Sequence, residues 1–245
     1  MPERRQSGAP PVLWVHEAGK QADGMEFGAL ERLARRGLLV SSVDVRGIGG
    51  TRPAHTPSIM NPPEFRHVFD TETAMSYMAW SMDESLFGMR VLDVVRSVDY
   101  LAERASAKQV HVVGKGAGAL WTMYAAALDP RIGAAVCERG LLSYRVLTQS
   151  DRYLHNASIF IRDVLQHFDL PQVSAAIAPR QLMLVDPVDA MKKPASLGTA
   201  HRTYEFTQQE YAKAGAAGCF RIVQRGPDGD PVERFLLGAW LLQKR

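Results

Sequence analysis

The sequence predicts a doubly wound α/β fold, a mostly parallel sheet with helices on both faces. Three observations predict it. A β-branched run (Val110, Val112, Val113) stops at Gly114 and passes through the turn Gly114-Lys115-Gly116-Ala117-Gly118 into a small-residue helix pattern ending at Leu128. Strand-like and helix-like patterns alternate along most of the chain, as βαβ units and parallel strands require. A length of 245 residues, 46% of them hydrophobic and 22% charged, suffices for one α/β domain with a full core.

The elements follow in order. Val12 to His16 (VLWVH) has the pattern of a buried strand, and Glu17 to Gly24 is a glycine-containing loop. Phe27, Leu30, Leu33 and Ala34 share one helical face, which Gly37 terminates. Leu38 to Val45 reads as the next strand, running into the glycine-rich loop Asp44-Val45-Arg46-Gly47-Ile48-Gly49-Gly50. Thr51 to Thr71 holds four prolines and no period, so a surface loop is expected. Two helices follow: Thr71 to Met82, rich in methionine and aromatics, and Ser85 to Arg104, with Phe87, Val91, Val94, Val98 and Leu101 along one stripe. After the central strand, turn and helix, Asp129-Pro130 closes the helix and Ile132 to Cys137 is a strand. Residues 138–170 lack a strand pattern and are expected to cover the strand ends. Ala178 to Asp186 is a further strand, Thr203 to Ala214 a helix, Phe220 to Gln224 a strand and Pro231 to Lys244 a closing amphipathic helix. About six parallel strands result, in one domain spanning 1–245.

Bulk properties narrow the function. A net charge of +3, from scattered basic residues, gives no argument for nucleic acid. Cys137 and Cys219 form neither a disulfide framework nor a zinc ligand set. No apolar run approaches the length of a membrane span, and the amino-terminal residues show no signal peptide; the compartment stays unassigned. No cofactor or metal is expected.

Four stretches carry a resemblance. His16-Glu17-Ala18-Gly19 follows the first strand. Asp44-Val45-Arg46-Gly47-Ile48-Gly49 follows the second. Phe87 to Asp93, with Asp99-Tyr100-Leu101, lies on the long helix before the turn. Ala178-Pro179-Arg180 leads through a strand to Asp189. In this order and spacing the chain resembles the α/β-hydrolase superfamily, in its acetyl xylan esterase and dienelactone hydrolase branch. The resemblance implies that Gly116 stands at the nucleophile position of G-x-S-x-G, which is therefore vacant, and that Asp189 stands at the acid position. It implies an oxyanion or ligand pocket made by His16, Glu17, Lys115 and Ala117. The family's histidine should follow the last strand, yet no histidine occurs after His201. The family's amino-terminal hairpin also has no counterpart, so the chain is expected to be a shortened variant or part of a longer protein.

A triad works as a unit, and an acid alone has nothing to orient. The expectation is therefore a protein without ordinary serine-esterase activity. It would bind a small-molecule or carbohydrate ligand, or a partner, or support a neighbouring hydrolase domain. Alternatives stay open. Backbone N–H groups at the turn could hold an anion or carbonyl oxygen, or the turn could be kept because glycine fits it. Asp189 is a relict acid or a solvated loop residue, with Asp186 able to exchange roles. His16, Cys137 or Ser143 could supply unlisted catalytic groups. Gly114-x-Gly116-x-x-Ala119 also spells a dinucleotide fingerprint, with Lys115 for a phosphate and Glu138 for a ribose. Asn156-Ala157-Ser158 matches a glycosylation acceptor. Met75, Met78 and Met82, with Tyr77 and Trp80, would pack a lid or core, or present a partner surface if exposed.

Overall fold

Six parallel strands form one sheet in the computed structural model, which describes residues 8–53, 70–226 and 230–242. The strands are β1 (Val12–His16), β2 (Val40–Val43), β3 (Val110–Lys115), β4 (Ile132–Glu138), β5 (Gln181–Val185) and β6 (Phe220–Val223), in the order β2-β1-β3-β4-β5-β6. Most of the proline-rich stretch 51–71, the middle of the Arg225-to-Asp230 segment and both ends of the chain lie outside the described residues. No described helix is long and apolar enough to cross a membrane.

Alternation of side chains along each strand builds the two layers. Leu13, Val15, Val112, Ala135, Cys137, Leu182 and Leu184 face one way. They meet helices α3 (Leu86–Ala105), α4 (Ala117–Leu128), α6 (Leu170–Ala175) and α8 (Glu205–Lys213). Trp14, Val113, Val136, Met183 and Val185 face the other way, against Leu33 of α1 (Ala29–Arg35) and Val232, Phe235 and Leu236 of α9 (Pro231–Leu242). Helices thus cover both faces, as the alternating sequence patterns predict. The Phe87–Leu101 stripe of α3 is buried as its spacing requires, and the Ser85 hydroxyl caps that helix by accepting from Gly88 N–H at 3.1 Å.

Several boundaries differ from the sequence expectation. The second strand is Val40–Val43 rather than 38–45, because Asp44 turns out of the sheet to cap Lys20 and Gly50. Phe27 lies before α1, not on its face: its φ is 60°, it is 65% exposed, and Arg35 sits over its ring. The fifth strand shortens to Gln181–Val185. The helix expected at 203–214 forms as α8, and a further helix, α7 (Leu197–Thr203), precedes it, the two separated at Tyr204, whose side chain is fully buried. Helix α2 (Thr71–Ser81) forms as expected, capped by Asp70, but it buries Thr71, Thr73, Ser76 and Ala79. Tyr77, Met78 and Met82 point outward at 52%, 63% and 65% exposure and are not core residues, whereas Met75 and Trp80 are half-buried and the Met75 side chain lies against Gly47.

Residues 138–170 do cover the strand ends, beyond Glu138, which completes β4. The cover contains one short helix, α5 (Arg145–Thr148), and two single-turn 3-10 helices at Ala157–Ile159 and Val164–Gln166. Its two ends meet at Asp169. That buried carboxylate accepts from the Ser143 hydroxyl, from Tyr144 N–H at 2.7 Å and from Leu170 N–H at 2.7 Å.

One core residue makes stability depend on pH. His111 sits near the start of β3, 1% exposed, and its Nε2 has no hydrogen-bond partner among the described residues. Burial alone pushes its pKa down to about 4. The unfolded chain therefore binds this proton at a higher pH than the folded one. Stability should fall as pH drops from about 6.5 to about 4, by roughly 3 kcal/mol, and stay at that deficit below. Urea midpoints across this window should fall less in His111→Leu than in the parent; an equal fall in both would refute the assignment.

Candidate functional site

The chain leaves β1 in one direction for β2 and returns past it to β3, so the carboxyl ends of β1 and β3 flank a crevice. A cavity of about 600 Å³ opens there, reached by residues from β1, β3, β4, α2 and the cover. Asp44 holds its rim. Its carboxylate accepts from Lys20 N–H at 2.6 Å and Gly50 N–H at 2.9 Å, and Lys20 Nζ lies 3.1 Å away. This ties the loop after β1 to the loop after β2.

Gly116 alone makes the turn from β3 into α4. Its φ of 62° and ψ of −127° suit glycine and strain other residues. Its N–H donates to Glu138 O at 2.9 Å and its carbonyl accepts from Ala119 N–H at 3.1 Å. Gly118 permits the helix to approach β1, since a Cβ there would lie 2.4 Å from Val15 O. Gly114 and Ala119 are buried in this junction and do not reach the cavity.

Glu17 occupies the space that a side chain at position 116 would need. A Cβ on residue 116 would lie 2.2 Å from Glu17 Cδ and 2.4 Å from Oε2. The same Oε2 accepts from Ala117 N–H at 3.0 Å, and Lys192 Nζ stands 3.8 Å from it. Ala117 N–H is one of the unpaired donors that begin α4, where the helix dipole favours a negative charge. A carboxylate of the chain itself therefore occupies the N-terminal end of α4.

The remaining expected residues are largely spoken for. His16 Nδ1 accepts from Ala18 N–H at 2.9 Å, which places the ring proton on Nε2, 3.9 Å from Asp23. Burial, against the pull of Asp23, lowers its pKa, so the ring is neutral with its one lone pair engaged. Lys115 Nζ binds Asp23 at 3.0 Å and lies 3.8 Å from Glu138. Asp23 also accepts from Trp14 Nε1 at 2.8 Å; burial would raise its pKa, but Lys115 and Trp14 outweigh that and hold it below the usual carboxylate range. Glu138, 3% exposed, takes Arg225 Nε on Oε1 at 2.8 Å, while its Oε2 makes no hydrogen bond among the described residues. Asp189 is outside the cavity lining; its Oδ1 accepts from Met191 and Lys193 N–H at 2.8 and 2.9 Å. Asp186 accepts from Arg225 N–H at 3.2 Å.

Cys137 is buried, and desolvation raises its thiol well above its ordinary value. The Ser143 hydroxyl is committed to Asp169. The amide of Asn156 donates to both oxygens of Asp70, at 2.9 and 2.8 Å, so it is engaged in the fold. Among the described residues, no group of three or more His, Cys, Asp and Glu side chains is placed to hold a metal ion.

Arg139, His155 and Lys192 are among the residues lining this cavity that sequence reasoning missed. His155 Nε2 bonds Asp189 O at 2.8 Å, and burial lowers its pKa despite that bond. Arg139 and Lys192 adopt left-handed φ values of 52° and 59°. Non-glycine residues are uncommon there, and such strain gathers at sites of function. Arg139 follows β4 and could have been suspected from that position alone. His155 and Lys192 lie in aperiodic segments and carry no such signal.

Strand order, the elbow after β3 and a cavity at the sheet's carboxyl edge define an α/β-hydrolase fold. Among solved structures, the chain is similar to a protein described as an acetyl xylan esterase from Bacteroides fragilis. The two are 15% identical over 95% of this chain, with a TM-score of 0.69, and the chain spans 63% of that protein's length. It is similar to a glucuronoyl esterase of carbohydrate esterase family 15 from Caldicellulosiruptor kristjansonii (15% identity, 99% of this chain and 72% of that one, TM-score 0.61). An acetyl xylan esterase from Paenibacillus sp. R4 matches at 18% identity, over 98% of this chain and 76% of that one, with a TM-score of 0.55. No protein-family model matches the chain, and no curated protein matches it in sequence.

Proposed function

We propose that this chain is a ligand-binding domain of α/β-hydrolase fold that does not perform serine-type ester hydrolysis. One observation carries the reading: Gly116 offers no nucleophile, and Glu17 fills the space beside Ala117 N–H where a reacting carbonyl oxygen would be held. Two others support it. His16 has no free lone pair, and the Asp189 carboxylate serves its own loop. Similar structures are described as acetyl xylan and glucuronoyl esterases, which makes sugar-derived ligands the first to test here.

A supporting role beside a neighbouring domain draws on a separate observation, the outward Tyr77, Met78 and Met82 of α2. The dinucleotide alternative needs Glu138 free for a ribose, whereas Arg225 and Lys115 hold it.

The test is covalent labelling. After incubation with a fluorophosphonate probe or an activated ester, intact-mass spectrometry should show no adduct, and p-nitrophenyl acetate should be hydrolysed no faster than by an unrelated protein. An acylated or phosphonylated side chain mapped to the cavity would overturn the proposal.

A further inference from the structure

The geometry points to a primary ammonium group as what the cavity binds, held by the Asp70 carboxylate, the bare Nδ1 of His155 and the Ser158 hydroxyl. The inference rests on the ligand-binding reading above and names the charged group that the ligand carries.

All three residues line the cavity. His155 Nε2 lies 2.8 Å from Asp189 O, and a carbonyl can only accept, so Nε2 carries the ring proton and Nδ1 the lone pair. Burial lowers the pKa of this ring, which keeps it neutral at neutral pH. Ser158 is 4% exposed. Neither His155 Nδ1 nor Ser158 Oγ has a hydrogen-bond partner among the described residues, and neither belongs to the unpartnered polar atoms that lack accessible surface. Both therefore open on the cavity as acceptors still to be met.

Asp70 supplies the charge. Its oxygens accept from Thr73 N–H at 2.8 Å and from the Asn156 amide at 2.9 and 2.8 Å, all neutral donors, and no described cation pairs with it. A carboxylate offers about four lone-pair sites, so one is left on Oδ2. The α2 dipole behind it offsets about half of the negative charge. Asn156 draws the three groups together: it follows His155 in the chain, its amide reaches Asp70, and its Oδ1 accepts from Ser158 N–H at 3.0 Å. Lys192, whose charge is felt at His155, is balanced by Glu17 at 3.8 Å, and Lys115 by Asp23 at 3.0 Å. Arg52 and Arg139 also line the cavity, but neither pairs with Asp70 among the described residues. Three acceptors and a net negative charge match the three N–H donors of an ammonium group, whereas a hydroxyl brings no charge and a carboxylate would be repelled. Ile48, Leu120 and Ile159 add apolar wall, and about 600 Å³ holds a six-membered ring.

Glucosamine and cyclohexylamine test the inference, with glucose and cyclohexanol as their uncharged counterparts. Titration calorimetry at neutral pH should show the parent protein binding at least one of the two amines, about tenfold more tightly than its counterpart or better. Asp70→Asn, which keeps the helix cap, should lose about tenfold in amine affinity and leave affinity for the counterpart unchanged. Ser158→Ala removes a hydroxyl that bonds nothing among the described residues, and it should weaken amine binding several-fold, as should His155→Phe. Circular dichroism and urea midpoints check that each variant folds; Ser158→Ala keeps the inference open to refutation should Asp70→Asn or His155→Phe unfold. Binding of neither amine, a counterpart bound as tightly as its amine, or unchanged amine affinity in folded Asp70→Asn or Ser158→Ala would overturn the inference. An adduct with the fluorophosphonate probe would instead strike the ligand-binding reading, so the two failures are separable.

Discussion

Glu72→Ala should lower the unfolding free energy by about 3 kcal/mol, near the low end for a broken buried pair because Glu72 itself is 23% exposed. Its partner Arg90 is fully buried. The guanidinium donates to Glu72 at 2.5 and 2.7 Å, donates Nε to Arg46 O at 3.0 Å and lies 5.1 Å from the centre of the Trp121 ring. Without Glu72 the charge remains in the core and loses its counter-ion, and no nearby described carboxylate replaces it. Glu72→Gln keeps an acceptor and should cost less. Urea denaturation with an unchanged slope would read both losses. A shift below about 1 kcal/mol in Glu72→Ala would mean that the Trp121 ring and the Arg46 carbonyl suffice to hold Arg90.

A hydroxyl placed at the turn before α4 is expected to damage the protein rather than give it hydrolytic activity. Gly116→Ser places a Cβ at φ 62° and ψ −127°, a conformation costing about 1–3 kcal/mol for a non-glycine residue. The new side chain also collides with Glu17, which must leave Ala117 N–H. Combining Gly116→Ser with Glu17→Ala should recover part of the lost stability, because the collision goes and the backbone strain remains. Neither variant should hydrolyse p-nitrophenyl acetate at an enzymatic rate, since the serine has no oriented base. Turnover in either variant, abolished by His155→Ala, would show that the His155 ring can take that role.

The sheet was legible because its strands are short apolar runs between glycine, proline and helix-period segments. The elbow was legible because three glycines around one lysine can hardly do anything else after a β-branched run. Side-chain roles were less so, for physical reasons that differ by residue. Glu17 acts a hundred positions away in sequence, at Ala117, and only the sheet pairing of β1 with β3 brings them together. Met75, Met78 and Met82 share a helical spacing, yet α2 turns its small residues inward, which brings its backbone close to the turn at Ala157–Ile159. Phe27 is a good helix-face residue that instead precedes the helix, its N–H bonded to the Glu31 carboxylate at 2.5 Å. His155 and Lys192 sit where no period exists to read.

Asp169 closes the neck of the cover, with both ends of residues 143–170 gathered on one carboxylate. Between those two anchor points the cover is tied down again: Ile159 and Val164 lie in the core, Asn156 bonds Asp70 and His155 bonds the Asp189 carbonyl. Closure entropy grows only with the logarithm of loop length, so residues added within the exposed stretch 151–153 should cost little, whereas shortening it would pull on anchors at both sides.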